Sequence, residues 1–277
     1  MIELPETYVL AHQINRTLAG KVIRKVTANA SPHKFAWYSG DPMNYDKLLN
    51  GRKITGANPG TEYTCGASTE ILAEDTLMVI STPIKYHPKG EKLPKKHQLL
   101  IEFDDFSHMS CTVQMWGAML CYPLEGESLA EEYKVNRCLS PLSEAFDYSY
   151  FERLLEGHEN LSAKAFLATE QRIPGLGNGI LQDILFHACI HPKRRMNTLS
   201  EREKRRMFHA VKDTIDTMVT QGGRDTERSL FGCPGGYQTI LSKKTINKPC
   251  PVCEGALVRE AYLGGNIYYC PTCQPCE

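Results

Sequence analysis

Cys250-Pro-Val-Cys253, sixteen intervening residues and Cys270-Pro-Thr-Cys273 carry the sharpest chemical signal in the chain. Two Cys-x-x-Cys pairs can set four thiolates tetrahedrally around one structural zinc ion, which holds together a hairpin too small to bury a core. The spacing predicts a zinc ribbon, with Cys276 as a spare or competing ligand. Cys65, Cys111, Cys121, Cys138, Cys189 and Cys233 are scattered and read as ordinary small hydrophobes in a reducing, cytoplasmic-type compartment.

Two further features suit phosphate chemistry. Ile173-Pro174-Gly175-Leu176-Gly177-Asn178 is a turn between helices, whose glycines expose backbone N–H groups at the next helix start. Asn178 is the expected cap and can offer its amide to a phosphate. Between residues 191 and 212 lie eight Lys/Arg and two acids, although the net charge of the 277-residue chain is zero. Balanced overall charge argues against a general nucleic-acid binder, yet a local basic stripe can still hold a backbone. Lys193, Arg194, Arg195, Arg202, Lys204, Arg205 and Arg206 are its candidate contacts, and a solvated helix face is the rival reading.

The elements that must position these groups fall into three stretches. Residues 7–19 have a helical apolar stripe that Gly20 ends. Residues 21–122 show short β-branched runs at 22–23, 77–80, 99–103 and 111–113, with a short helix near residues 45–49 and a surface loop over 86–97. After a connection at 125–133, helices are expected over 143–155, 162–169, 179–188 and 200–220, the last opened by the Ser200/Glu203 capping box and stopped by Gly222-Gly223. The expected class is α+β: an N-terminal two-layered β-sandwich domain with flanking helices over 1–130, a helical domain over 131–235 and a zinc-ribbon finger over 236–277. The composition, 42% hydrophobic, supports real cores, and no segment has the length and apolarity of a membrane span.

Taken together, these motifs resemble those of the formamidopyrimidine-DNA glycosylase and endonuclease VIII family of base-excision repair proteins. The family's opening appears as Met1-Ile2-Glu3-Leu4-Pro5-Glu6. Its helix-two-turn-helix appears as Pro174-Gly175-Leu176-Gly177-Asn178, followed by Asp183 and Ile190-His191-Pro192, and its finger as the four cysteines closing with Gln274. The resemblance implies that the amine exposed by methionine removal attacks the sugar C1′ and forms a Schiff base, with Glu3 as general acid and Glu6 as a second retained acid. An α-amine, with a pKa of about 7.7 to 8, is partly neutral and nucleophilic near pH 7.

The chain departs from the family pattern where that chemistry sits. Ile2 stands in place of the nucleophilic proline, and a bulky second residue disfavours trimming of Met1. The hairpin lysine has no counterpart in residues 58–63, Lys53 being out of register. Asn266 stands where the resemblance places the finger arginine, and asparagine has no charged fork. The wedge turn reads Met115-Trp116-Gly117, so Trp116 is either a DNA contact or a core aromatic. The expectation is therefore a monomeric protein that binds double-stranded DNA, damaged, abasic or bent, with one zinc, in the cytoplasm or on a bacterial nucleoid. The alternatives are an active DNA glycosylase/AP lyase using the amine of Ile2 or Met1, and a protein-interaction role on the same fold.

Overall fold

The computed structural model describes residues 2–60, 63–64, 66–124 and 139–276. The expectations for Met1, Cys65, Cys138, the 125–133 connection and residues 61 and 62 lie outside them. Two compact units are formed, one by Met1–Arg137 with Thr226–Gly235 and the other by Cys138–Asp225 with Gly236–Glu277.

In the first unit α1 spans Leu4–Thr17, starting three residues before the apolar stripe does. Pro5 is tolerated in the first turn, where its missing N–H has no intrahelical partner. Glu3 and Glu6 close a capping box around it, with the Glu3 backbone N–H donating to Glu6 Oε2 at 3.1 Å. The strands are β1 (Ile23–Ala28), β2 (Ala36–Trp37), β3 (Ile54–Pro59), β4 (Thr69–Ala73), β5 (Thr76–Ile80), β6 (Ile84–His87), β7 (Leu99–Phe103), β8 (His108–Cys111) and β9 (Gly117–Pro123), with α2 at Tyr45–Leu49. They make a four-stranded sheet in the order β1-β7-β8-β6 and a five-stranded one in the order β2-β9-β5-β4-β3. All pairings are antiparallel except β2 with β9. The strand expected over 111–113 ends at Cys111, because its pairing with β6 runs from His108 to Cys111.

One apolar cluster takes residues from both sheets and α1, among them Ile2, Ile14, Ile71, Ile101, Phe103 and Met119. Asn15 fixes α1 to β3 by reading both backbone groups of Ala57: its Nδ2 donates to the carbonyl at 2.8 Å and its Oδ1 accepts the N–H at 2.7 Å. The segment at 226–235 returns to this unit through Leu230. Its N–H donates to Gln13 Oε1 at 2.9 Å and its carbonyl accepts from Tyr86 N at 2.8 Å.

The second unit contains α3 (Tyr148–Arg153), α4 (Ala163–Ala168), α5 (Asn178–His187), α6 (Glu201–Thr220) and the hairpin of β10 (Val258–Tyr262) and β11 (Gly265–Tyr269). The first of these helices is shorter than the expected 143–155. Asp147 caps it, accepting from Tyr150 N at 2.7 Å, and the residues before it form turns. Ser200 and Glu203 form the predicted box on α6. Among the described residues no helix is long and apolar enough to cross a membrane.

Candidate nucleic-acid interface and metal centre

The four finger cysteines converge. Their Sγ atoms all lie within 4.8 Å of one another, with Cys250–Cys273 at 3.7 Å and Cys253–Cys270 at 3.4 Å. A zinc tetrahedron with Zn–S bonds near 2.3 Å has edges of about 3.8 Å, so the donor set fits that ion. Without a metal, bonding at the Gly255 backbone draws the Cys253 thiol down to about 7, while desolvation raises those of Cys270 and Cys273. Cys276 is exposed and outside the cluster. Cys111 and Cys121 are buried hydrophobes as expected, and burial pushes the Cys121 thiol up to about 12. Cys189 and Cys233 are exposed instead.

Finger and helices are joined through side-chain amides. Gln182, one turn beyond Asn178 on α5, donates from Nε2 to the Asn266 carbonyl at 3.1 Å and accepts the Tyr268 N–H on Oε1 at 3.0 Å. Asn178 Nδ2 donates to the same Asn266 carbonyl at 3.0 Å. Lys164 is buried, donates to the Tyr262 carbonyl at 2.5 Å, and has its ammonium pKa lowered by burial. At the far end, Gln274 accepts from Cys270 N at 3.0 Å and donates to the Ile190 carbonyl at 3.0 Å. Asp183 accepts from Ile240 N at 3.0 Å and Leu241 N at 2.8 Å, and desolvation still raises its pKa. Sequence reasoning reached Gln274 and Asp183 as parts of motifs and missed Gln182 and Lys164. The i, i+4 spacing of Asn178 and Gln182 was the available signal.

The glycine turn is a narrower cradle than its sequence suggests. Gly175, with φ +67°, makes the turn, but its N–H donates to Gln171 Oε1 at 3.0 Å and that of Leu176 to the Ile173 carbonyl at 3.2 Å. The N–H groups of Gly177 and Asn178 have no protein acceptor among the described residues. Gly177, not Asn178, is the helix cap, and Asn178 is the first helical residue with its side chain turned to the finger.

Most of the basic stripe is engaged within the fold. Arg194 is buried and pairs with Glu203, while its Nη2 donates to the Thr198 carbonyl at 3.0 Å. Lys193 pairs with Glu260, Arg205 with Glu201 at 3.3 Å, and Arg206 donates to the Ala188 carbonyl. Lys212 donates to three carbonyls, of Pro141, Ser143 and Phe146, at 2.9 to 3.1 Å. Arg195 and Arg202 are exposed and Lys204 is half-buried on α6.

In the first unit Ile2 is 1% exposed and belongs to the main apolar cluster. Glu3 and Glu6 are buried, and each takes part in the capping box at the helix start. Trp116 is 46% exposed and Met115 73%, so the core-aromatic reading of Trp116 does not hold. Beside them stand Phe35 and Trp37, also exposed, because the Gly117 N–H donates to the Phe35 carbonyl at 3.0 Å and Trp37 pairs with Ala118. Gly117 must be glycine, since a Cβ there would lie 2.7 Å from Thr82 Cβ. Lys53 is exposed beside β3 and pairs with Val22 in an isolated bridge.

A two-sheet N-terminal unit, a helix pair joined by a glycine turn, and a four-cysteine hairpin held on that pair define a mixed α+β fold that ends in a zinc-ribbon-like finger. Residues 138–229 match the family model described as the formamidopyrimidine-DNA glycosylase H2TH domain. Formamidopyrimidine-DNA glycosylase of Thermus thermophilus is 34% identical over 142 residues, 48% of this chain and about half, 52%, of that relative's length. That of Oceanobacillus iheyensis is 27% identical over 280 residues, covering 99% of this chain and 98% of the relative. Among solved structures, Lactococcus lactis Fpg (MutM) in complex with N7-benzyl-Fapy-dG containing DNA superimposes with a TM-score of 0.82 at 21% identity, covering 99% of each chain. The MutM (Fpg) protein of Thermus thermophilus gives 0.79 at 23% identity over 98% of each. Residues 138–229 thus belong to the formamidopyrimidine-DNA glycosylase H2TH domain family, and similarity to formamidopyrimidine-DNA glycosylases runs the length of the chain.

Proposed function

We propose that this protein binds double-stranded DNA at damaged or abasic positions, with one zinc ion in the Cys250, Cys253, Cys270, Cys273 site. In this reading it has lost the amine chemistry of base removal and strand nicking. The zinc supplies structural cross-linking and charge balance to the four thiolates. The Gly177 and Asn178 N–H groups and the cations Arg195, Arg202 and Lys204 are the phosphate contacts. Trp116 is the aromatic that meets an unstacked site. Solved neighbours include Lactococcus lactis Fpg in complex with an abasic site containing DNA, with a TM-score of 0.82 at 19% identity, which supports this choice of ligand for the fold.

The burial of Ile2 carries the loss of chemistry. Its side chain is an anchor in the apolar cluster, so the residue cannot swing toward a sugar without exposing a core hydrophobe, and behind a retained Met1 its nitrogen is an amide that cannot attack. Glu3 and Glu6 then serve the start of α1, a sufficient reason for two buried carboxyls there. Borohydride trapping with an abasic-site duplex, run beside a binding assay, tests the reading. Salt-dependent binding without a covalent adduct is expected. A trapped adduct from the wild type that disappears in Glu3→Gln would establish the lyase instead.

A further inference from the structure

The finger hairpin carries an arginine that no motif assigns. Arg259 on β10 stands opposite Tyr268, and Asn266 on β11 stands opposite Ala261, so the two occupy one face of the hairpin at a diagonal. Arg259 Nε donates to Asn266 Oδ1 at 3.1 Å. The residue is exposed, and among the described residues no carboxylate pairs with it and no acceptor meets its Nη groups. Its neighbours differ. Lys193 is neutralised by Glu260 and Lys164 is buried against a carbonyl.

Asn266 is itself fixed at its backbone. Its carbonyl accepts from Asn178 and from Gln182, which hold β11 on the start of α5. One residue thus ties the helix start to an arginine whose fork faces solvent. The hydrogen bond at Nε restrains the guanidinium and leaves both Nη groups of an exposed residue without a protein acceptor among the described residues, an arrangement suited to bidentate contact with a phosphodiester. A lone surface arginine has no such orienting partner.

We propose that Arg259 is a phosphate-binding residue of the finger and that Asn266 is its positioning residue. Asparagine at 266 then has a role of its own: it aims a cation supplied by the opposite strand. The inference rests on the DNA-binding reading above and adds the residue pair through which the finger holds the backbone.

The test uses the zinc-loaded full chain and a duplex with one tetrahydrofuran abasic analogue, titrated at several salt concentrations. Arg259→Ala is expected to weaken binding roughly tenfold or more, as loss of one charged contact does, and to reduce the slope of log K against log salt by about one. Arg259→Lys keeps the charge and restores the slope with only part of the affinity. Asn266→Ala should weaken binding less, leave the slope nearly unchanged, and have no further effect in an Arg259→Ala background. Zinc content and melting temperature equal to wild type confirm an intact finger. Unchanged affinity and slope in Arg259→Ala overturn the assignment while DNA binding stands, and full additivity of the two changes overturns the positioning role. A wild-type chain that does not bind the duplex overturns the DNA-binding reading itself.

Discussion

Gln182 grips Asn266 and Tyr268 as a neighbouring strand would, donating to the carbonyl of one and accepting the N–H of the other. Asn15 does the same to Ala57 across α1 and β3. In both places one side-chain amide completes two backbone groups at the edge of a β element, adding polar ties to a helix and strand that also share an apolar cluster. Gln182→Leu leaves the Tyr268 N–H buried without a partner and is expected to cost about 1–3 kcal/mol. Hydrogen exchange should quicken in the finger strands before the helices. Protection in β10 and β11 equal to wild type would remove Gln182 from this role.

Metal removal has a defined outcome. One equivalent of zinc should be released by chelation or by thiol modification, and amide protection over residues 250–274 should collapse, because four thiols cannot hold so small a hairpin on their own. The β-sheets of the first unit, which take no residue from this cluster, should keep their far-UV signal. Metal analysis and site-resolved exchange check both halves of the statement.

Glu203 supplies a pH signature. Its hydrogen bond with Arg194 holds the carboxyl down to about 2, against an ordinary value of 4.5, helped by the Ser200 cap. A depressed carboxyl contributes stability that is full above its unfolded pKa and disappears as pH falls through the folded one. Glu203→Gln should therefore lower stability at pH 7 by about 1.5–3 kcal/mol, since it weakens a charged hydrogen bond to a buried guanidinium. The gap between variant and wild type should close between about pH 4.5 and 2. A gap that persists at pH 2 in denaturant titrations contradicts this account.

The chain has two tryptophans, and both are exposed, Trp37 on the edge strand β2 and Trp116 just before β9. Intrinsic fluorescence is thus a direct reporter of these two positions. Abasic duplex should quench it by base stacking. Trp116→Ala should remove most of the quenching and cost about 1–3 kcal/mol of affinity, with the melting temperature unchanged because nothing in the core is lost. Quenching that survives intact in Trp116→Ala assigns the contact to Trp37.

Ile2→Ala exchanges a core anchor for a small residue that also permits trimming of Met1. It should destabilise the first unit by about 2–5 kcal/mol and, by intact mass, yield chain without the initiator methionine. If that variant traps abasic DNA under borohydride where the wild type does not, the block to chemistry is the isoleucine at position 2, acting through the Met1 it retains. If neither traps, the missing function extends beyond the amine.

Spacing alone determined the four-cysteine site, since four ligands in two short knuckles need little beyond a turn to converge. Periodicity placed α1 and the Ser200/Glu203 box placed α6, helices whose residues satisfy most of their backbone locally. The opening motif and the Gly175–Gly177 turn were legible for the same reason. The fate of the charges was not. A lysine or arginine in a sequence looks the same whether it meets solvent or a distant carboxylate, and only the tertiary fold set Arg194 on Glu203, Lys193 on Glu260 and Lys212 on three carbonyls before α3 and within its cap region. Trp116 and Ile2 show the same limit for apolar residues: the fold left one exposed just before β9 and buried the other in the main apolar cluster. Local chemistry is written in residue type and spacing, whereas partnership between residues far apart in sequence exists only once the chain has closed on itself.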